Sequence, residues 1–187
     1  EHFYNIGSCE EYYGSTSKLK ENSKLASTTL YSSYKISIHK FLLNFLKNNH
    51  INYTNLRTFN IIGKDKYKEN VISFINSNIV SKKLNFYNQY AVRDFMWIDD
   101  YIYVLKIILK KKHNYKIINI GSGNGTPILK ILDYISKKKN IKINHRISYK
   151  NKMKNPKDIK VANIDRIKKI IKSYKFVKIN KIIDMLI

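Results

Sequence analysis

A tyrosine and a lysine four residues apart, Tyr31 and Lys35, form the pair in this sequence best suited to proton chemistry. On a helix the two side chains share a face, so the ammonium group can sit beside the phenol. A free tyrosine titrates near about 10, and a base that works at neutral pH needs its pKa lowered by roughly 2–3 units. The cation must then supply about 3–4 kcal/mol of anion stabilisation. The pair therefore indicates a base for a substrate hydroxyl.

The same spacing recurs at Tyr134/Lys138 and at Tyr174/Lys178, so spacing alone does not separate a catalytic pair from two neighbours on a helix surface. The surroundings of the first pair are more informative. An apolar strand and the segment GSCEEYYG (7–14) precede it, and the segment NLRTFNIIG (55–63) follows it.

Ordered blocks between about residues 3 and 135 resemble the extended short-chain dehydrogenase/reductase family of NAD-dependent nucleotide-sugar epimerases and dehydratases. In that family a Ser/Thr loop ending in Tyr-Gly precedes a Tyr-x-x-x-Lys helix, and a Leu-Arg-x-Phe-Asn-x-x-Gly strand follows. Two further blocks, VRDFMWIDD (92–100) and NIGSG (119–123), look like the family's Arg-Asp-Phe segment and its later Asn-x-Gly-Ser-Gly turn.

The resemblance implies a role for each matching residue. Tyr31 would be the catalytic base, and Lys35 would hold the nicotinamide ribose of NAD or NADP and lower the tyrosine pKa. Asn60 falls where the family contacts the nucleotide diphosphate, and Arg93 where an arginine binds that phosphate. An arginine suits this task because its planar guanidinium can bind phosphate oxygens in a bidentate manner.

The hydroxyl position of the loop is less regular. Counting back from Tyr-Gly places it on Cys9, with Ser8 just before, and a thiol is a poorer hydrogen-bond donor than a hydroxyl. We slightly favour Ser8. Glu10 and Glu11 stand where the related 4,6-dehydratases carry acidic residues, and Glu11 is the stronger candidate for an acid or base. The alternative is a loop carboxylate in solvent or beside a lysine.

A late segment resembles the family's phosphate-binding Arg-x-x-Asp. Asn155 stands at the arginine position with Lys154 beside it, so the second phosphate contact would depend on a lysine acting as a point charge. The glycines of residues 121–125 lack the G-x-G-x-x-G spacing of a dinucleotide loop. We expect that loop upstream of Glu1, so the chain reads as a C-terminal fragment.

The hydrophobic pattern alternates strands and helices, which predicts an α/β architecture with parallel strands. Predicted strands cover residues 3–6, 55–62, 84–87 and 117–120, and predicted helices cover about 30–47, 70–79, 100–109, 127 onward, 164–173 and 179–187. Asp99 or Asp100 is expected to cap one helix, and Thr126 with Pro127 to begin the next.

The net charge of +23 comes almost entirely from lysines dispersed along the chain. Dispersal favours compositional drift over a nucleic-acid surface, because a binding surface needs clustered cations. There is no apolar run long enough to span a membrane. One cysteine and no signal peptide favour the cytoplasm, and the histidines show no metal-ligand spacing.

These observations predict a partial Rossmann-like, doubly wound parallel sheet plus a small mixed α/β substrate-binding lobe. Residues 1–62 would complete the dinucleotide-binding domain, and 63–187 would form most of the lobe, with 117–121 returning to the sheet. The expected function is an NAD(P)-dependent nucleotide-sugar epimerase or 4,6-dehydratase, a homodimer at full length and inactive as this fragment. Alternatives are a basic nucleic-acid-binding module or a non-catalytic scaffold.

Overall fold

A computed structural model describes residues 1–15, 17–64, 71–79, 91–141 and 158–187. Its strands are β1 (His2–Ser8), β2 (Asn52–Thr58), β3 (Asn60–Ile62), β4 (Val92–Trp97), β5 (Ile117–Ile120), β6 (Gly125–Pro127) and β7 (Ile159–Lys160). Its α-helices are α1 (Leu30–Asn48), α2 (Val71–Asn78), α3 (Ile98–Lys110), α4 (Ile128–Lys138), α5 (Asp165–Ile171) and α6 (Ile179–Leu186). A single 3₁₀ turn, Cys9–Glu11, follows β1.

The first sheet is parallel, with strand order β1-β2-β5. Ser8 pairs with Thr58, and Thr58 pairs with Ile120, so the carboxyl ends of all three strands meet at one edge. The second sheet is mixed: β4 pairs parallel to β3 and β7 and antiparallel to β6. The predicted α/β architecture with parallel strands is confirmed.

Two apolar clusters hold these layers together. The first packs α3 and α5 against the parallel sheet and includes Leu56, Ile118 and Ile167, each with no exposed surface. The second joins α2, α4 and α6 beside β4 and includes Ile75 and Ile135. Burial of such side chains supplies most of the stabilisation, at roughly 25 cal/mol per Å² of apolar surface. α1 lies outside both clusters and packs on β1 and β2.

The predicted strand over 55–62 is two strands, because the chain changes sheets at Phe59. The amide of Phe59 still donates to the Ile120 carbonyl at 2.8 Å, whereas Asn60 already pairs with Phe95 in the second sheet. A continuous apolar pattern cannot report such a change of partner. The predicted strand at 84–87 lies outside the described residues.

Two predicted helix starts are wrong. Trp97, not Asp99 or Asp100, is the N-cap of α3, because Asp99 accepts from the Trp97 indole and Asp100 accepts from the Tyr174 hydroxyl. Thr126 lies inside β6, opposite Arg93, and α4 begins one residue after Pro127. In both places tertiary contacts outweigh the local capping preference.

Asp94 organises the glycine-rich turn that follows β5. Its buried carboxylate accepts from the Ser122 amide at 2.9 Å, the Gly123 amide at 2.9 Å and the Ala162 amide at 3.1 Å. Gly123 has φ +74°, a backbone conformation that glycine adopts at little cost. The turn therefore wraps a carboxylate, in agreement with the prediction that it is not a dinucleotide loop.

Among the described helices, none is both long and apolar enough to cross a lipid bilayer.

Candidate active site

α1 starts where a capping box ends the preceding loop. The Thr29 side chain accepts from the Ser32 amide at 3.1 Å, and the Ser32 side chain accepts from the Thr29 amide at 2.9 Å. This exchange satisfies donors that a helix start otherwise leaves unpaired. It places Tyr31 and Lys35 in the first two turns.

Lys35 reaches from α1 to the end of β1. Its Nζ donates to the Ile6 carbonyl oxygen at 2.9 Å and lies 5.7 Å from the centroid of the Tyr31 ring. Tyr31 is 51% exposed, and its hydroxyl has no hydrogen-bond partner within the residues that the structure describes. The phenol is therefore open to an incoming ligand and close to a fixed positive charge.

Ser8 lies at the carboxyl end of β1, two residues after the Lys35 contact. Its Oγ accepts from the Glu10 amide at 3.1 Å, and its own amide donates to Glu11 Oε1 at 2.9 Å. The hydroxyl keeps a proton that it can donate elsewhere. Lys35 of α1 thus contacts β1 two residues before Ser8, and the Tyr31 ring lies beside the Lys35 ammonium.

Cys9 turns inward from the same loop. Its thiol is 4% exposed and belongs to the first apolar cluster. Burial raises the pKa of this thiol to about 12, so it stays protonated and packs as a small apolar group. Between the two alternatives for the hydroxyl position, the geometry favours Ser8.

Glu11 is sealed inside the protein. It has no exposed surface, its Oε2 accepts from Arg57 Nε at 2.8 Å, and Asn55 Nδ2 approaches both carboxylate oxygens at 3.2–3.3 Å. A side chain at Gly7 would collide with this carboxylate. The alternative of a loop carboxylate in solvent is wrong for Glu11, because the carboxylate is buried and held by Arg57 and Asn55.

The buried Glu11–Arg57 pair is part of a wider polar network. The Arg57 guanidinium lies 4.6 Å from the centroid of the Tyr12 ring, and the Tyr12 hydroxyl donates to Asn119 Oδ1 at 2.7 Å. Burial raises the pKa of Tyr12 to about 12. The Leu-Arg and Asn-x-Gly motifs therefore fasten the loop to β2 and β5.

Glu10 is the more accessible of the two adjacent glutamates. Its side chain is 37% exposed and forms an ion pair with Lys160, whose side chain is 10% exposed. Nothing in the sequence pattern singles out Lys160. No local signal could have found it, because its partner lies 150 residues away.

Arg93 and Asn60 come from adjacent strands, β4 and β3. The Arg93 guanidinium donates to the Asp158 carboxylate at 2.5 Å and to the Asp158 carbonyl at 2.8 Å. Asn60 Nδ2 donates to the Asp94 carbonyl at 3.0 Å. Arg93 keeps a partly exposed guanidinium, 22% of the side chain. Lys154 and Asn155 lie outside the described residues.

The other two Tyr-x-x-x-Lys pairs have carboxylate partners. The Tyr174 hydroxyl donates to Asp100 at 2.7 Å, and burial followed by this hydrogen bond raises its pKa to about 12. Tyr134 donates to Asp184 at 2.9 Å, and Lys138 pairs with the same carboxylate. The Asp184 hydrogen bond raises the Tyr134 pKa. Tyr174 thus ties the loop before α6 to α3, Tyr134 ties α4 to α6, and neither phenol is free.

Both the sequence and the fold resemble those of known proteins. The family model described as NAD dependent epimerase/dehydratase family matches residues 1–121. No curated protein sequence matches the chain.

Solved structures share the fold over nearly the whole chain. A dTDP-glucose 4,6-dehydratase from Bacillus anthracis, solved with NAD, has a TM-score of 0.83 at 21% identity and covers 98% of this chain and 60% of its own. A UDP-glucuronic acid 4-epimerase from Bacillus cereus, also solved with NAD, has a TM-score of 0.84 at 20% identity. The match covers 100% of this chain and 60% of the epimerase. A UDP-N-acetylglucosamine 4-epimerase from Methanobrevibacter ruminantium has a TM-score of 0.76 at 21% identity. The match covers 96% of this chain and 58% of the epimerase.

These similarities confirm the Rossmann-like fold class. At such identity the solved structures establish the fold alone. The chain spans about 60% of the length of these structures.

Proposed function

The chain belongs to the NAD-dependent epimerase/dehydratase family, and from that premise we propose that it forms the catalytic-base and substrate side of a nucleotide-sugar epimerase or 4,6-dehydratase. The observation that carries the proposal is the Tyr31–Lys35 pair: a half-exposed phenol, without a hydrogen-bond partner among the described residues, lies beside an ammonium fixed on β1.

Tyr31 would take the proton from a sugar hydroxyl and return it later in the cycle. Lys35 supports this role in two ways. Its positive charge favours the phenolate, and its hydrogen bond to the Ile6 carbonyl holds the ammonium in place. A base must lie within hydrogen-bond reach of the proton that it abstracts, and the exposed Tyr31 hydroxyl leaves room for such an approach.

A nicotinamide dinucleotide would lie at this edge of the sheet beside Lys35, and NAD is favoured because the structural neighbours from both Bacillus species contain NAD. When bound, it supplies the oxidant for the sugar carbon. Lys35 retains ammonium protons beyond the one given to Ile6, so it can also hold a ribose hydroxyl. Ser8 would donate its hydroxyl proton to the sugar oxygen that Tyr31 deprotonates.

The substrate would be a nucleoside-diphosphate sugar, the class bound in solved relatives such as the Bacillus cereus epimerase with UDP-glucuronic acid. Arg93 would bind the diphosphate, and Asn60 would orient it by donating its second amide proton to a phosphate oxygen. For an elimination of water, we propose Glu10 rather than Glu11 as the acid–base carboxylate, because Glu11 is already consumed by Arg57 and Asn55.

A homodimer through α1 fits the distribution of apolar surface. Leu30 is 92% exposed, Phe41 62% and Phe45 52%, and the two phenylalanine rings stack on each other with centroids 5.7 Å apart. An apolar stripe of this kind on one helix is typical of an interface between subunits.

The 187 residues contain no G-x-G-x-x-G turn, so we expect them alone to bind a nucleotide sugar without turning it over. The test is to produce them with a dinucleotide-binding segment and incubate the protein with NAD and either dTDP-glucose or UDP-glucuronic acid. Chromatography should reveal an epimerised or dehydrated product.

Two results would contradict the proposal. The scaffold alternative predicts no cofactor binding even with the added segment. The nucleic-acid alternative predicts tight, strongly salt-dependent binding of duplex or single strands together with no affinity for nucleotide sugars.

A further inference from the structure

Two cations lie side by side on neighbouring strands of the second sheet. Arg93 on β4 and Lys160 on β7 are direct register partners in a parallel pair. Side chains at paired positions of adjacent strands point to the same face. Each cation is held by a carboxylate from another part of the chain, Arg93 by Asp158 and Lys160 by Glu10.

The Lys160 charge reaches the turn after β1, next to the Ser8 that the candidate active site includes. Glu10 belongs to the turn that begins after Ser8, and Lys160 and Arg93 both act electrostatically to lower the pKa of the Cys9 thiol against the larger effect of burial. Lys160 is therefore a neighbour of the site although it lies 150 residues from Glu10 in sequence.

The burial of Lys160 requires an anionic partner. Its side chain is only 10% exposed, and an ammonium group removed from water is costly unless it is paired. Glu10 meets this need in the absence of substrate. A diphosphate placed against Arg93 carries more negative charge than one guanidinium balances, and Arg93 is already shared with Asp158.

We propose that Lys160 is a second diphosphate-binding cation of this site, which exchanges the Glu10 carboxylate for a phosphate oxygen of the nucleotide sugar. The inference rests on the proposed function and assigns one more residue to it. The exchange also frees Glu10, so its carboxylate becomes available for the sugar only when the diphosphate is in place.

The test measures uridine diphosphate binding to the 187-residue chain by titration calorimetry, with uridine as the probe that lacks phosphate. Lys160→Met should weaken uridine diphosphate binding by roughly tenfold to a hundredfold, the range for a hydrogen bond to a charged group. Uridine binding should not change. Lys160→Arg should retain most of the affinity because it keeps the charge.

Glu10→Gln provides a test of opposite sign. Removing the competing carboxylate should tighten uridine diphosphate binding several-fold, whereas a purely structural Lys160–Glu10 pair predicts unchanged or weaker binding. Even if Lys160→Met fails to fold, Glu10→Gln distinguishes diphosphate binding by Lys160 from a purely structural ion pair. Lys138→Met is the matched control, since it removes another carboxylate-paired lysine, one that lies on α4 and pairs with α6, and it should leave affinity unchanged.

The outcomes separate the two proposals. If the unmodified chain binds uridine diphosphate but Lys160→Met and Glu10→Gln bind it equally well, the assignment of Lys160 is overturned and the proposed function stands. If the unmodified chain binds neither uridine diphosphate nor thymidine diphosphate, the proposed function fails, and the role of Lys160 fails with it.

Discussion

The tyrosine–lysine pairs of α1 and α4 have the same spacing but different partners. Lys35 donates to a backbone carbonyl of β1, which leaves the Tyr31 hydroxyl unpartnered among the described residues. Tyr134 and Lys138 instead converge on the Asp184 carboxylate of α6. A phenol that donates to a carboxylate is held in its protonated form, since the anion would repel its partner. What surrounds the pair, rather than its spacing, decides whether it can act as a base.

The buried faces of α1 and α4 also differ in polarity. α1 buries Ser32 and His39 alongside Ile36 and Leu46, whereas the buried face of α4 is entirely aliphatic. Polar groups inside α1 hydrogen-bond to the loop and to β2, as His39 does to the Tyr53 hydroxyl at 3.0 Å. The helix is thereby held in one register against β1 and β2.

The largest difference should appear in catalysis. In protein completed with a dinucleotide-binding segment, Tyr31→Phe should lower kcat by about 10²- to 10⁴-fold, the usual contribution of a positioned base. Nucleotide-sugar affinity should stay nearly the same. Tyr134→Phe is the matched control and should retain full turnover, measured by product chromatography. Full turnover by Tyr31→Phe would remove that residue from the mechanism.

The next largest effect concerns the free energy of unfolding. It compares two ion pairs, the buried Glu11–Arg57 pair and the exposed Lys138–Asp184 pair. Glu11→Gln leaves the fully buried Arg57 without its counter-charge and should cost about 3–5 kcal/mol of unfolding free energy. Asp184→Asn breaks an ion pair whose side chains are more than 40% exposed, so its midpoint of urea unfolding should match that of the unmodified chain. Equal midpoints for the two variants would contradict the assignment of Glu11 to the core.

A smaller effect should come from pH. Burial lowers the pKa of His39 below its usual 6.5. At a pH between the two pKa values, His39 is therefore protonated in the unfolded chain and neutral in the folded chain. Stability is full above about 6.5 and falls as pH decreases towards the folded-state pKa, by at most about 1.4 kcal/mol per pH unit for one group.

His39→Gln should therefore reduce the loss of unfolding free energy between neutral and mildly acidic pH, measured by urea unfolding. Part of the loss should remain, because burial also lowers the pKa values of His2 and His113. Ile135→Val on α4 is the control: it should cost about 0.5–1.5 kcal/mol equally at both pH values. An unchanged pH slope in His39→Gln would show that this histidine does not titrate on unfolding.

The smallest expected effect is that of Lys138→Met, which should alter neither turnover nor nucleotide affinity. Its value is as a reference for Lys35→Met, which should lower turnover because the Tyr31 phenolate loses its nearby positive charge. Both variants remove one lysine charge from a chain of net charge +23. Equal turnover in the two would show that Lys35 has no special role.

Local pattern was sufficient for much of the fold. The predicted helix over 30–47 and the predicted strand over 117–120 match α1 and β5 within a residue, because apolar spacing and a Thr cap both operate within a few neighbouring residues. The family and the Tyr31–Lys35 pair were also accessible, since their motifs lie in a fixed order along the chain.

What the sequence determined by itself is therefore the α/β class, the main helices, the family and the residues that stand at its motif positions. Only the tertiary structure decided that Glu11 pairs with Arg57 in the core and that Glu10 pairs with Lys160. It also decided that, of the three tyrosines, only Tyr31 has no hydrogen-bond partner within the part of the chain that the structure describes. The physical reason is that burial and charge pairing depend on groups brought together from 46 to 150 residues apart. Periodicity and spacing record only a residue's near neighbours.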